Sequence, residues 1–247
     1  MQKEKIINKL EELRVLPLKS DSHLYVRYPN KTIGEAAKEE AKNYGRNQKE
    51  RPAIAIVEVV LSINRKYATH VEPHIIRLEK TDLATFKQLE EKINTYSREQ
   101  FYSYWGHHDS RKYGIMINLL KAINILRDKY KIEDDYALMN KWAVDANVDK
   151  YSEDIIGSIR NVGLATFQHL RMNFGVDTVK PDRQVKEVLK REFGFIGSDK
   201  KTILAVEQIS KISGYSTIEL DQIFVNYGSG YYETPKSEIK PSFVCNK

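Results

Sequence analysis

The chain has 247 residues, 41% of them hydrophobic and 30% charged, long enough for one large or two small domains with a real core. Its net charge of +6 suits a polyanionic partner, and the lack of a long apolar run argues against a membrane span. Cys245 is the only cysteine, which excludes an intrachain disulfide and a four-cysteine iron–sulfur cluster. The charged start Met1-Gln2-Lys3-Glu4-Lys5 does not read as a secretory leader, so a cytoplasmic location is expected, or a nuclear one in a eukaryote.

Helical periodicity dominates the pattern. Residues 3–14 read as a first helix. Residues 21–30 contain His23-Leu24-Tyr25-Val26-Arg27-Tyr28, which reads as a short extended segment. Residues 32–44 form a charged, Ala-containing surface helix with Gly45 as its stop. Residues 52–61, PAIAIVEVVL, carry a single charge, Glu58, and read as a buried helix. Further helices are expected over 83–93, 97–104, 112–130 and 135–144, then near 202–213 and 217–227. Residues 233–247, with Pro235 and Pro241, read as a loosely held tail.

The segment Ile155–Leu189 carries the clearest chemistry. It reads as helix, tight turn, helix, short loop, then an Asp opening another helix. The turn is Asn161-Val162-Gly163-Leu164, and Gly163 lets backbone approach a ligand closely. The amides of Leu164, Ala165 and Thr166 open the next helix and suit a phosphate. Nineteen residues beyond Gly163 stands Asp182, in Lys180-Pro181-Asp182-Arg183-Gln184-Val185. It can cap the following helix, and it can also face a bound phosphate.

This segment resembles the helix-hairpin-helix and catalytic-aspartate loop of the DNA glycosylase superfamily of endonuclease III. There a hydrophobic-Pro-Gly-Val-Gly hairpin precedes an Asp in a Val-Asp-Thr-His-Val type element. Asn161-Val162-Gly163 matches the second half of the hairpin, whereas Arg160 and Asn161 replace its Pro-Gly. Asp182-Arg183-Gln184-Val185 matches the second element in spacing and apolar pattern. Asp177, in Val176-Asp177-Thr178, matches its letters better but lies only fourteen residues from Gly163, so Asp182 is the catalytic candidate.

The resemblance covers roughly residues 52–230. It implies an all-α fold of two helical lobes with a DNA cleft between them. The chain then divides into an N-terminal helical extension (1–50) packed on the core, a glycosylase core (51–232) and the tail (233–247). The family's N-terminal segment often packs beside the C-terminal helices.

Glu58-Val59-Val60-Leu61 fits the element in which the adenine-removing branch places a base-protonating Glu, and an apolar setting would raise its pKa. A Glu at the solvent edge of a half-buried helix, or one paired with a cation, fits the same letters. The Gln-rich sequence that follows in that branch is missing, so adenine is not implied. Asn64, with Arg65 and Lys66, falls where relatives contact DNA around the flipped base, but also fits a plain polar loop.

The loop Gly106 to Lys112 falls where the family supplies a wedge and phosphate contacts. His107 or His108 would insert, and Ser110, Arg111 and Lys112 would meet phosphate. Tyr102, Tyr104 and Trp105 just before it fit either core packing or base stacking. Gln184 is implied as a further DNA contact. No third ligand at metal spacing accompanies the two histidines, and neither metal nor cofactor is expected.

The lyase-active branch places its Schiff-base Lys where this chain has Ala165. The implied activity is therefore a monofunctional, monomeric glycosylase acting on duplex DNA. It would flip one base and hydrolyse its N-glycosidic bond, leaving an abasic site. The base is open: oxidised, alkylated, deaminated or bulky phage-type modified bases all fit. A non-catalytic hairpin module that binds DNA, and a helical protein with no DNA role, are the alternatives.

Overall fold

The computed structural model describes residues 3–44 and 46–233, so Gly45, Cys245 and the expected tail from 234 onward lie outside the described residues. The chain is all-α. In order the helices are α1 Lys3–Arg14, α2 His23–Arg27, α3 Ile33–Asn43, α4 Arg46–Glu50, α5 Pro52–Ser62, α6 Tyr67–His70, α7 Glu72–Glu79 and α8 Phe86–Thr95. There follow α9 Arg98–Trp105, α10 Ser110–Tyr130, α11 Asp135–Asp145, α12 Leu164–Asn173, α13 Arg183–Phe193, α14 Asp199–Ser213 and α15 Thr217–Gly228. Two isolated bridges, Pro17 with Thr32 and Leu18 with Tyr232, are the nearest approach to a sheet among the described residues. None of these helices is long and apolar enough to cross a membrane.

α5 is the centre. Pro52 starts it with a φ already suited to helix, and every residue except Glu58 is buried. A helix apolar on all sides must be surrounded, and α4, α7, α8, α10 and α12 all pack on this one. Each fully buried Ile, Val or Leu contributes about 1.5–3 kcal/mol, so α5 anchors the core. Arg51 locks its start by donating to the carbonyls of Leu83, Leu78, Thr81 and Glu79.

The N-terminal helices close onto the C-terminal ones. α1 packs on α3 and α14, and α3 runs along α15, which also packs on α13. The Lys19 amide donates to Tyr231 O (2.9 Å) and the Glu233 amide to Pro17 O (2.9 Å), tying the two ends of the described chain together. α12 joins this group to α5, because it touches α5, α11 and α14.

Several boundaries differ from the sequence expectation. Residues 21–30 are not extended: Ser22 accepts the Tyr25 amide (3.2 Å) and starts the helical turn of α2. The charged surface helix begins after Thr32, which caps it in a reciprocal box with Glu35. α10 begins at Ser110 because Asp109 accepts both the Arg111 and Lys112 amides. α14 begins at Asp199, capped by Ser198. Helices α4, α6 and α7 were not expected. α4 and α6 are too short to show a period, and α7 is only eight residues long.

Candidate active site

The hairpin departs from the expected pair of helices. Its first arm is a 3-10 stretch, Val148–Glu153, followed by isolated turns to Val162. Asp154 organises them: its Oδ1 accepts the Ile156 (2.8 Å) and Gly157 (3.2 Å) amides, while Trp142 Nε1 donates to both its oxygens. Gly157 sits so close to the Tyr151 carbonyl that a Cβ would fall 1.8 Å from it. The turn itself needs one left-handed residue, and Asn161 supplies it with φ +71°. Asn tolerates this region better than other non-glycine residues, so the turn forms without a glycine at 161.

Gly163 is the N-cap of α12, with φ −86° and no side-chain cap hydrogen bond. A Cβ built on it would meet nothing within 4 Å. The start of α12 is thus open on the Gly163 side. Leu164 is buried, whereas Ala165 and Thr166 are part-exposed and Asn161 is exposed.

Asp182 caps α13: its Oδ1 accepts the Val185 amide at 3.1 Å. Its Oδ2 lies 3.9 Å from Lys180 Nζ. The Asp182 amide donates back to Lys180 O at 2.7 Å, which closes a tight turn over Pro181. Asp177 is committed elsewhere, since its Oδ1 accepts the Ile218 amide of α15 at 2.8 Å. The structure therefore gives the two aspartates different duties, and only Asp182 keeps an oxygen towards the Lys180 ammonium.

Glu58 is the single residue of α5 that is not fully buried. Its Oε1 accepts the Tyr67 hydroxyl at 2.7 Å. Burial raises its pKa, opposed by the Tyr67 bond and by the positive charge of Lys180. Desolvation of its hydroxyl, with Glu58 beside it, drives the Tyr67 phenol far above its ordinary range although the residue is 38% exposed. Lys180 thus acts on both candidate carboxylates, although they lie far apart in the sequence. Its charge also reaches His169 of α12.

His169 is buried and its pKa is pushed well below the usual imidazole value by burial, with Lys180 adding to the effect. The Ser62 hydroxyl donates its one proton to Val59 O (2.8 Å), so its 3.3 Å contact with His169 Nδ1 has the ring N–H as donor.

The expected DNA contacts divide. Asn64, Arg65 and Lys66 are exposed on the α5–α6 connection, with Asn64 in the left-handed region at φ +54°. Ser110 and Arg111 are exposed on the first turn of α10, and His108 is exposed beside Glu99 (3.5 Å). His107 is part-buried and accepts Trp105 Nε1 at its carbonyl. Burial and the nearby Lys112 and Arg65 charges lower its pKa. Trp105 and Tyr102 are core residues and Tyr104 is part-buried.

Lys112 is a correction. It is 4% exposed, and its Nζ donates to Leu61 O at 2.6 Å. It caps the end of α5 from inside and presents no ammonium to a phosphate. Burial lowers its pKa to about 8. Gln184 is part-buried where α13 meets α15 at Gly228. Among the described residues no three His, Cys, Asp or Glu side chains gather as a metal site.

Sequence reasoning missed Tyr67, Lys180, His169 and Asp221. Lys180 was visible two residues before Asp182, but nothing in its letters showed its charge acting on Glu58. No known protein family, characterised protein or solved structure matches this chain.

Proposed function

We propose that this chain is a monofunctional DNA glycosylase that hydrolyses the N-glycosidic bond of a flipped, damaged or modified base in duplex DNA. The observation that carries the reading is that Lys180 stands 3.9 Å from Asp182 and its charge also acts on Glu58, in a chain whose α12 starts open at Gly163. Breaking a glycosidic bond needs a fixed carboxylate to stabilise the cationic sugar and accept a proton from water. It also needs an acid for the leaving base. Asp182 serves the first role and Glu58, whose burial keeps its proton at higher pH, serves the second. Water attacks C1′, the C1′–N bond breaks, Asp182 takes the water proton and Glu58 gives its own to the base.

The amides of Leu164, Ala165 and Thr166 would hold the backbone phosphate while the nucleotide leaves the stack. Arg65, Lys66, Ser110 and Arg111 would grip neighbouring phosphates. Ala165 has no amine to form a Schiff base at the hairpin, so base release without strand cleavage is expected. A covalent protein–DNA adduct trapped by borohydride would overturn that point. The protein would work as a monomer in the cytoplasm, or in the nucleus of a eukaryote.

One observation favours a second reading. Asp182 is fully explained as a helix cap by its bond to Val185, as it would be in a hairpin module that binds DNA without catalysis. Base release from a panel of duplexes, each with one modified base, decides between them. Free base from the wild type supports the glycosylase. Binding with no base released from any duplex supports the module.

A further inference from the structure

Asp221, on α15, is 3% exposed, and a carboxylate so deep needs a reason. Its Oδ1 accepts the backbone amide of Lys180 at 3.0 Å, and its Oδ2 accepts Gln222 Nε2 at 3.0 Å. Both partners are neutral N–H groups. The amide it holds opens the Lys180-Pro181-Asp182 turn, which the Asp182 amide closes onto Lys180 O. The same loop is fastened a second time, in the opposite sense, where Asp177 accepts the Ile218 amide of α15. Two carboxylates thus stitch α15 and the loop together, one from each side, just ahead of Asp182.

We propose that Asp221 is a positioning residue for Asp182: from α15 it fixes the Lys180–Asp182 turn and so the place of the catalytic carboxylate. This rests on the reading of Asp182 given above. The charged and titratable groups acting with Asp221 are Asp182 and Lys180 from the loop and Tyr44 from the end of α3. Burial, then Asp182, raise the Asp221 carboxyl to about 8, against the pull of Lys180. Asp221 therefore keeps its proton at neutral pH and loses it above about pH 8.

The test compares wild type with Asp221→Asn and Asp221→Ala in the full chain. Asn keeps a carbonyl oxygen for the Lys180 amide and cannot ionise, whereas Ala loses the acceptor. The first readout needs no substrate. Carbon-13 NMR of labelled aspartates should show one carboxyl titrating near pH 8 in the wild type, with the Asp182 signal shifting in the same step. Both events should vanish in Asp221→Asn. The second readout is single-turnover base release at pH 7. Misplacing a catalytic group slows a reaction by about tenfold to a hundredfold, so Asp221→Ala should lose that much while Asp221→Asn stays near wild type.

An Asp182 signal blind to the Asp221 step, or Asp221→Asn as slow as Asp221→Ala, would overturn the proposal. Wild type that releases no base from any duplex defeats the glycosylase reading alone, and the NMR titration still decides whether Asp221 controls Asp182.

Discussion

The Tyr67 hydroxyl donates to Oε1 of Glu58 at 2.7 Å, across the exposed connection from α5 to α6 that carries Asn64, Arg65 and Lys66. This bond stabilises the ionised carboxylate and so pulls against the upward push of burial on Glu58. Tyr67→Phe removes the pull, and Glu58 should then hold its proton to higher pH. The alkaline limb of the base-release profile, read by single-turnover kinetics, should move upward. Glu58→Gln should slow release by about a hundredfold or more, the usual worth of a positioned acid. Its melting temperature should rise relative to wild type most at alkaline pH. A carboxyl with a raised folded pKa costs stability as pH rises through that value, and Gln carries no such cost.

The two hairpin glycines should respond oppositely to alanine. At Gly157 the new Cβ would collide with the Tyr151 carbonyl, so Gly157→Ala should lose on the order of 3 kcal/mol of stability, as overpacking against backbone does. At Gly163 the Cβ meets open space and the backbone is ordinary. Gly163→Ala should melt within a few degrees of wild type, a helix cap change costing about 1 kcal/mol or less. Its DNA affinity should fall, because the methyl would stand where the phosphate approaches. Melting scans and fluorescence anisotropy, run side by side, read both effects.

Lys112 gives a stability signature at high pH. Its folded pKa of about 8 lies below the ordinary lysine value of 10.5. Between those values the unfolded chain holds a proton that the folded chain has released, so stability contributed by this residue increases with pH over that window. Lys112→Met removes the titration. The difference in stability between wild type and Lys112→Met, measured by denaturation from pH 7 to 10.5, should shift in favour of wild type as pH rises.

Salt dependence separates phosphate contacts from structural cations. Each phosphate neutralised adds about 0.9 to the slope of log affinity against log salt on duplex DNA. Arg65→Ala, Lys66→Ala and Arg111→Ala, all at exposed positions, should each flatten the slope by about that amount. Lys112→Met should leave it unchanged, because that ammonium is spent on Leu61 O. Anisotropy titrations across a salt series give the slopes.

Much of the fold was legible because long helices announce themselves. PAIAIVEVVL reads as a buried helix and is one, and Glu58 stands out in it as the one charge. The period of α10 and α11 was equally open to reading. The short helices were not, since α2, α4 and α6 have five residues or fewer and too few turns to display a pattern. The first arm of the hairpin read as a helix, but Asp154 and the tight seat of Gly157 break it into single turns.

At the site, Asp182 opening a helix and the Gly163 start of α12 were visible as local signals, whereas their partners were not. The Lys180 charge acts on Glu58, Asp221 accepts the Lys180 amide, and Ser62 meets His169 only because α5, α12 and α15 converge. Such contacts depend on tertiary packing, and spacing along the chain carries no trace of them. Lys112 shows the reverse error, because a basic residue in an apparent loop proved to be an internal tie at the end of α5.

The most direct test replaces Asp182 by Asn and follows base release and DNA binding together. Asn is as good a helix cap as Asp, so the bond to Val185 and the fold should survive. The account predicts that wild type frees a base from one of the modified duplexes, and that Asp182→Asn binds the same duplex equally well but releases it at least about a hundredfold more slowly. Asp182→Asn releasing base at the wild-type rate would contradict a catalytic Asp182 and leave it as a cap alone.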